Sequence, residues 1–89
     1  HAFVTLSNTT PTLLSPNGVH SGVNVSVQNV NASGYVYLGS DDVTTSDYGF
    51  RISPGSAISF ELDALDSLYA VSQTNGLNAA VLTTTLAEL

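Results

Sequence analysis

Few residues in this chain have the types and spacing that chemistry needs. Histidine is the usual general base near neutral pH. His20 follows the Asn17-Gly18 pair and precedes a valine-rich segment. Serine and aspartate are plentiful, so a Ser–His–acid set can be drawn on paper. The chain has no Gly-x-Ser-x-Gly elbow that would strain a serine into a nucleophile. His20 therefore reads as a solvated turn histidine. The sequence begins with His1 and not with Met. A processed end and a residue left from a tag both fit, and no chemistry is assigned to it.

The carboxylates offer two further arrangements. Asp41, Asp42 and Asp47 share one polar stretch with Ser40, Thr44 and Ser46. Clustered carboxylates among hydroxyl and carbonyl oxygens are what calcium coordinates. The spacing is not that of an EF-hand, and no glutamate closes it. The plainer reading is a solvated loop whose aspartates set turns. Glu61, Asp63 and Asp66 are a second acidic group, and paired carboxylates can hydrolyse glycosides. Glu61 alternates with Phe60 and Leu62, which places it on an outward strand face. No catalytic, metal-binding or cofactor-binding residue is assigned.

Tyr35 and Tyr37 are spaced to share one strand face. With Tyr48 and Tyr69 they could stack on a sugar, but tyrosines at this spacing more often pack across strands or at an oligomer contact. Asn8-Thr9-Thr10, Asn24-Val25-Ser26 and Asn31-Ala32-Ser33 match glycosylation acceptors. In a chain this rich in Asn, Ser and Thr, chance accounts for most such matches.

These residues must be held by strands. Val, Thr, Ser, Asn and Gly dominate, which favours strands and turns over helices. Phe3–Leu6 reads as a first short strand. Pro11 and Pro16 bracket Leu13 and Leu14 and confine any strand there to a sheet edge. Pro16-Asn17-Gly18 is a turn signal. Val23, Val25 and Val27 alternate with Asn24, Ser26 and Gln28, giving one buried and one wet face. Tyr35–Leu38 follows, closed by Gly39, and the short polar link between these two segments predicts a hairpin.

Residues 40–49 form the longest polar connection, with Val43-Thr44-Thr45 a candidate extended stretch. Strands are then expected at Phe50–Ile52, Ile58–Leu62, Leu68–Val71 and Ala79–Leu86. Pro54-Gly55, Asp63–Asp66 and Thr74-Asn75-Gly76 are turns, the last of hairpin type. Residues 62–69 and 82–89 admit a short helix, but neither carries a sustained helical stripe. The expectation is one all-β domain over residues 1–89, a small β-sandwich or barrel of about seven or eight short antiparallel strands.

Composition excludes whole classes of partner. With 89 residues there is room for one domain. A domain of this size buries only roughly 60–65% of its unfolded surface, so its core is thin. There is no cysteine to supply disulfides or thiolate metal sites, which leaves association with copies of itself or a partner as a source of stability. Seven acidic residues face a single Arg and no Lys, for a net charge of −6. Arg51 alone cannot neutralise a phosphate backbone or an anionic bilayer, so neither nucleic acid nor a membrane surface is an expected partner. No apolar run is long enough to span a bilayer, and no basic segment precedes an apolar one as in a signal peptide.

Several short motifs point further. Tyr35-Val36-Tyr37-Leu38-Gly39, Asp42-Val43-Thr44-Thr45, Gly49-Phe50, Pro54-Gly55, Ile58-Ser59 and Asp66-Ser67-Leu68-Tyr69-Ala70, in this order, resemble small tailed-bacteriophage virion proteins. The likeness is to capsid decoration (cement) proteins or head- and tail-associated structural proteins, and it runs from about Thr9 to Leu86. Asp47-Tyr48 before Gly49 lengthens the loop relative to that pattern. The resemblance implies a non-enzymatic β-sandwich or barrel on the capsid exterior. It also implies a homo-oligomer, commonly a trimer, that bridges major capsid protein subunits and stabilises the assembled shell. It names no catalytic residues. The resemblance equally implies a different head or tail role, such as a tail-fibre component; the residues themselves offer a carbohydrate-binding β-sandwich using the tyrosines and, last, a hydrolase built on His20.

Overall fold

The computed structural model describes residues 2–15, 23–62 and 67–85. His1, the Pro16-Asn17-Gly18 turn, His20, the 63–66 turn with Asp63 and Asp66, and Leu86 lie outside the described residues.

Eight strands form among them: β1 Ala2–Thr5, β2 Thr12–Leu13, β3 Val23–Asn29, β4 Val36–Gly39, β5 Phe50–Ile52, β6 Ala57–Leu62, β7 Tyr69–Ser72 and β8 Asn78–Thr85. The described residues contain no helix. Leu62 and Tyr69 lie in β6 and β7, and Leu82 lies in β8. The described residues of both candidate helices are therefore strand, apart from Ser67 and Leu68, which precede β7.

The strands make two four-stranded sheets, ordered β1-β8-β3-β6 and β2-β7-β4-β5. Every ladder is antiparallel. Four nested pairs account for the order: β1 with β8, β2 with β7, β3 with β6, and β4 with β5. The chain is thus one long hairpin rolled up on itself, with the 40–49 segment at its tip. Ladders β3·β8 and β4·β7 close the roll. This is the eight-stranded jelly-roll arrangement of a β-sandwich.

Alternation fixes which way each strand faces. Val23, Val25 and Val27 point inward from β3, as do Ala79 and Val81 from β8. Val36 and Leu38 of β4, Ile52 of β5 and Ala70 of β7 meet them from the opposite sheet. Leu6, Leu14 and Leu68 plug the ends of this layer. Each such Val or Leu contributes about 1.5–3 kcal/mol when fully buried. Phe50 and Phe60, on edge strands β5 and β6 of different sheets, pack with ring centroids 5.2 Å apart. They close one open side of the sandwich.

Two expected hairpins are not hairpins. β3 and β4 belong to different sheets, and so do β7 and β8. Both short links cross from one sheet to the other. The turn chemistry was legible, but a tight link between two strands can either pair them or stack their buried faces. Here each strand finds its hydrogen-bond partners elsewhere in the chain, so the faces stack. Only β4 and β5 are consecutive neighbours in one sheet. The Val43-Thr44-Thr45 stretch is not extended into a strand. Pro11 precedes β2, which is an edge strand as proline demands.

Candidate functional site

The two outer sheet faces carry the residues most able to act on something else. On the β2-β7-β4-β5 sheet, inward Val36 and Leu38 leave Tyr37 pointing out, and Val71 and Tyr69 point out from β7. The 40–49 segment folds back over this face. Val43 descends onto Tyr37 and Val71, and all three are buried in a second, smaller core. Tyr48 packs against Tyr37 with ring centroids 4.7 Å apart and planes tilted by 44°, and Tyr35 and Tyr37 lie 6.5 Å apart on the shared face that their spacing predicts.

Tyr37 is only 8% exposed, so its ring packs within the protein and presents no open platform. The Arg51 guanidinium sits 4.5 Å from the centre of the Tyr35 ring and covers part of it. Tyr48 remains 41% exposed.

The loop that carries these groups ties itself down. The Val43 amide donates to the Ser40 carbonyl at 3.0 Å, and the Thr44 amide to the Asp47 carbonyl at 2.9 Å. The Asp47 amide donates to the Thr44 hydroxyl at 2.9 Å, and the Ser40 hydroxyl to an Asp42 carboxylate oxygen at 2.7 Å. The Gly49 amide reaches the Leu38 carbonyl at 2.8 Å, which anchors the far end to β4. Asp41, Asp42 and Asp47 all remain exposed.

Beside them is a small open concavity of about 260 Å³, whose walls include Ser40, Asp42, Asp47 and Tyr48. Among the described residues no three His, Cys, Asp or Glu side chains come together. The visible role of the loop aspartates is to shape turns and to hold negative charge in a fixed place. Glu61 is exposed on the outward face of β6, as its alternation with Phe60 and Leu62 predicts.

The second outer face belongs to the β1-β8-β3-β6 sheet and went unnoticed in the sequence. Phe3, Ala80, Gln28 and Ala57 form one row across its four strands. Leu82, Ser26 and Ser59 form the next, and there the two serine hydroxyls bond each other at 2.8 Å. Phe3 is 76% exposed and Leu82 50% exposed. An open concavity of about 270 Å³ lies between them, with Ala80, Gln28 and Ala57 among its lining. The signal was present in β8, where Ala79-Ala80-Val81-Leu82 is apolar at both parities. A strand apolar on both faces calls for cover on both.

Of the three glycosylation-type asparagines, Asn31 is committed to the fold. Its side-chain nitrogen donates to the Asn29 side-chain oxygen at 2.7 Å and to the Asn78 carbonyl at 2.8 Å. Both of its amide hydrogens are therefore occupied. Comparison with family models, with curated proteins and with solved structures finds no match for this chain.

Proposed function

We propose that this chain is a non-enzymatic virion structural protein of the capsid-decoration type, which seats on an assembled protein shell, bridges major capsid subunits and stabilises them. The observation that carries the reading is the pinned 40–49 loop. It holds Asp41, Asp42, Asp47 and the half-open Tyr48 ring out from one face of a rigid sandwich. A fixed patch that combines acidic groups with an aromatic suits recognition of a basic protein surface. The jelly-roll order supports the reading by analogy alone, because viral capsid and lectin domains both use that architecture.

A module of this kind works by mass action. It binds the assembled shell and not its separated subunits, so it stabilises the assembly. Repetition over many sites adds avidity to weak single contacts.

The test mixes purified protein with undecorated capsids and measures binding and the temperature of shell disruption. Binding with a raised disruption temperature is expected. Replacing Asp41, Asp42 and Asp47 together by Asn should slow association and flatten its salt dependence. Neither binding nor stabilisation with the unaltered protein would end the reading. Density confined to the tail of the particle would move the chain to another virion role.

A second reading, carbohydrate binding, is favoured by one observation: exposed Tyr48 borders a concavity that also holds the Asp42 and Asp47 carboxylates and the Ser40 hydroxyl. Glycan-array binding that disappears with Tyr48→Ala would support it, and silence on a broad array would remove it.

A further inference from the structure

We propose that the outer face of the β1-β8-β3-β6 sheet is the contact between two copies of this chain, with Phe3 of each copy seated in the concavity over Ala80 of the other. This contact is separate from the loop face assigned to the shell, and it does not depend on that assignment.

Phe3 projects from β1 with three quarters of its surface in water, and its cross-strand neighbour is the small Ala80. The open space of about 270 Å³ beside it is walled by Phe3, Leu82, Gln28 and Ala57. A projecting ring and a shallow hollow therefore lie side by side on one face. When one patch carries both halves of a contact, two copies related by a two-fold axis satisfy both at once, and the assembly closes. A trimer, as the phage resemblance implies, needs the two halves on different flanks of the molecule. Here they share a flank, which selects a dimer.

Charge points the same way. The chain carries a net charge of −6. Among the described residues the Phe3 and Leu82 rows contain no ionisable side chain, and Glu61 enters in the third row, opposite Asn24. Asp41, Asp42 and Asp47 are on the loop covering the other sheet. Joining two copies through the Phe3 and Leu82 rows keeps the acidic 40–49 loops, which cover the other sheet, away from the contact. Joining them through the loop face would bring like charges together, which costs several kcal/mol. Ser26 and Ser59 already share one hydrogen bond, which lowers the cost of desolvating their row.

The edges supply an independent observation. β2 is two residues long and follows Pro11, β5 is three residues long and holds Arg51, and β6 carries Glu61. Such devices blunt an edge against unwanted pairing. β1, Ala2–Thr5, has neither proline nor charge. Seating Phe3 in the partner shields the flank of this one unguarded strand.

Sedimentation equilibrium on the purified chain across the micromolar range tests the proposal, with circular dichroism and urea unfolding as fold controls. A dimer mass is expected. Phe3→Ala removes the projecting ring and Ala57→Arg puts a charge in the wall of the hollow. Each should weaken dimerisation by about tenfold or more while leaving the sheet spectrum intact, because both positions are exposed. The Asp41/Asp42/Asp47→Asn variant should dimerise at least as well as the parent, which separates this contact from the shell contact. A monomer throughout the range, a trimer, or a dimer indifferent to both Phe3→Ala and Ala57→Arg would overturn the proposal.

Discussion

The side-chain amide of Asn29, at the end of β3 in one sheet, donates a 2.9 Å hydrogen bond to the backbone carbonyl of Ile52, at the end of β5 in the other. The same nitrogen donates to the Gly34 carbonyl at 2.9 Å, and the side-chain oxygen accepts from both the amide and the side chain of Asn31. Asn29 is fully buried, yet all its polar atoms are paired. A buried polar group is tolerated only on that condition. The polar clasp thus fixes where β3 leaves its sheet, where β4 begins and how β5 lies across from them.

Asn29→Ala leaves the Gly34 and Ile52 carbonyls without these donors. The expected loss is about 2–3 kcal/mol, since each unsatisfied buried group costs about 1–3 kcal/mol. Urea unfolding should show a lower midpoint with an unchanged slope. Asn31→Ala acts on the same network, so the double variant should lose less than the sum of the single ones.

Gly34→Ala and Gly76→Ala separate two causes of strain. Both glycines have positive φ, +92° and +93°. A Cβ at Gly76 meets open space, whereas one at Gly34 would lie 2.6 Å from a Leu77 methyl carbon. Gly76→Ala should cost about 1–2 kcal/mol from the backbone alone. Gly34→Ala should cost more, by whatever Leu77 must give. Equal shifts in melting temperature would show that Leu77 yields freely.

Val43→Ala tests the pin that holds the acidic loop. Val43 is buried against Tyr37 and Val71. Its truncation should cost about 1–3 kcal/mol and speed proteolytic cleavage between Ser40 and Gly49, because local opening then becomes easier. If the loop is the shell contact, the same variant should bind capsids more weakly through lost preorganisation.

Arg51→Ala removes the guanidinium from the Tyr35 ring. At an exposed site this contact is worth about 0.5–1 kcal/mol. The loss should vanish in a Tyr35→Leu background, and a double-mutant cycle measures that coupling.

Most strand positions were readable because β3 and β6 alternate cleanly and a period of two belongs to no other element. The outward position of Glu61 and the shared face of Tyr35 and Tyr37 followed from the same rule. Pairing was not readable. Asn29–Gly34 and Thr74–Gly76 have turn chemistry that serves a hairpin or a crossing equally well. Choosing between them depends on β6 and β8 competing for the edges of β3, and those strands are about 30 and 50 residues away along the chain. The outer Phe3–Leu82 face was overlooked because Phe3 belongs to a four-residue strand whose inward partner, Val4, is the only parity marker.

The amino-acid order by itself determined that this protein is built of short strands, that it lacks a cysteine staple, and that its net charge is negative. These are properties of local sterics and composition. Only the tertiary structure decided that the strands roll as one long hairpin and that the 40–49 tip folds down over Tyr37. It also decided that Phe3 stands beside a hollow floored by Ala80. Each of those outcomes depends on which distant segments share hydrogen bonds and bury one another, and that is settled by the packing of the whole chain.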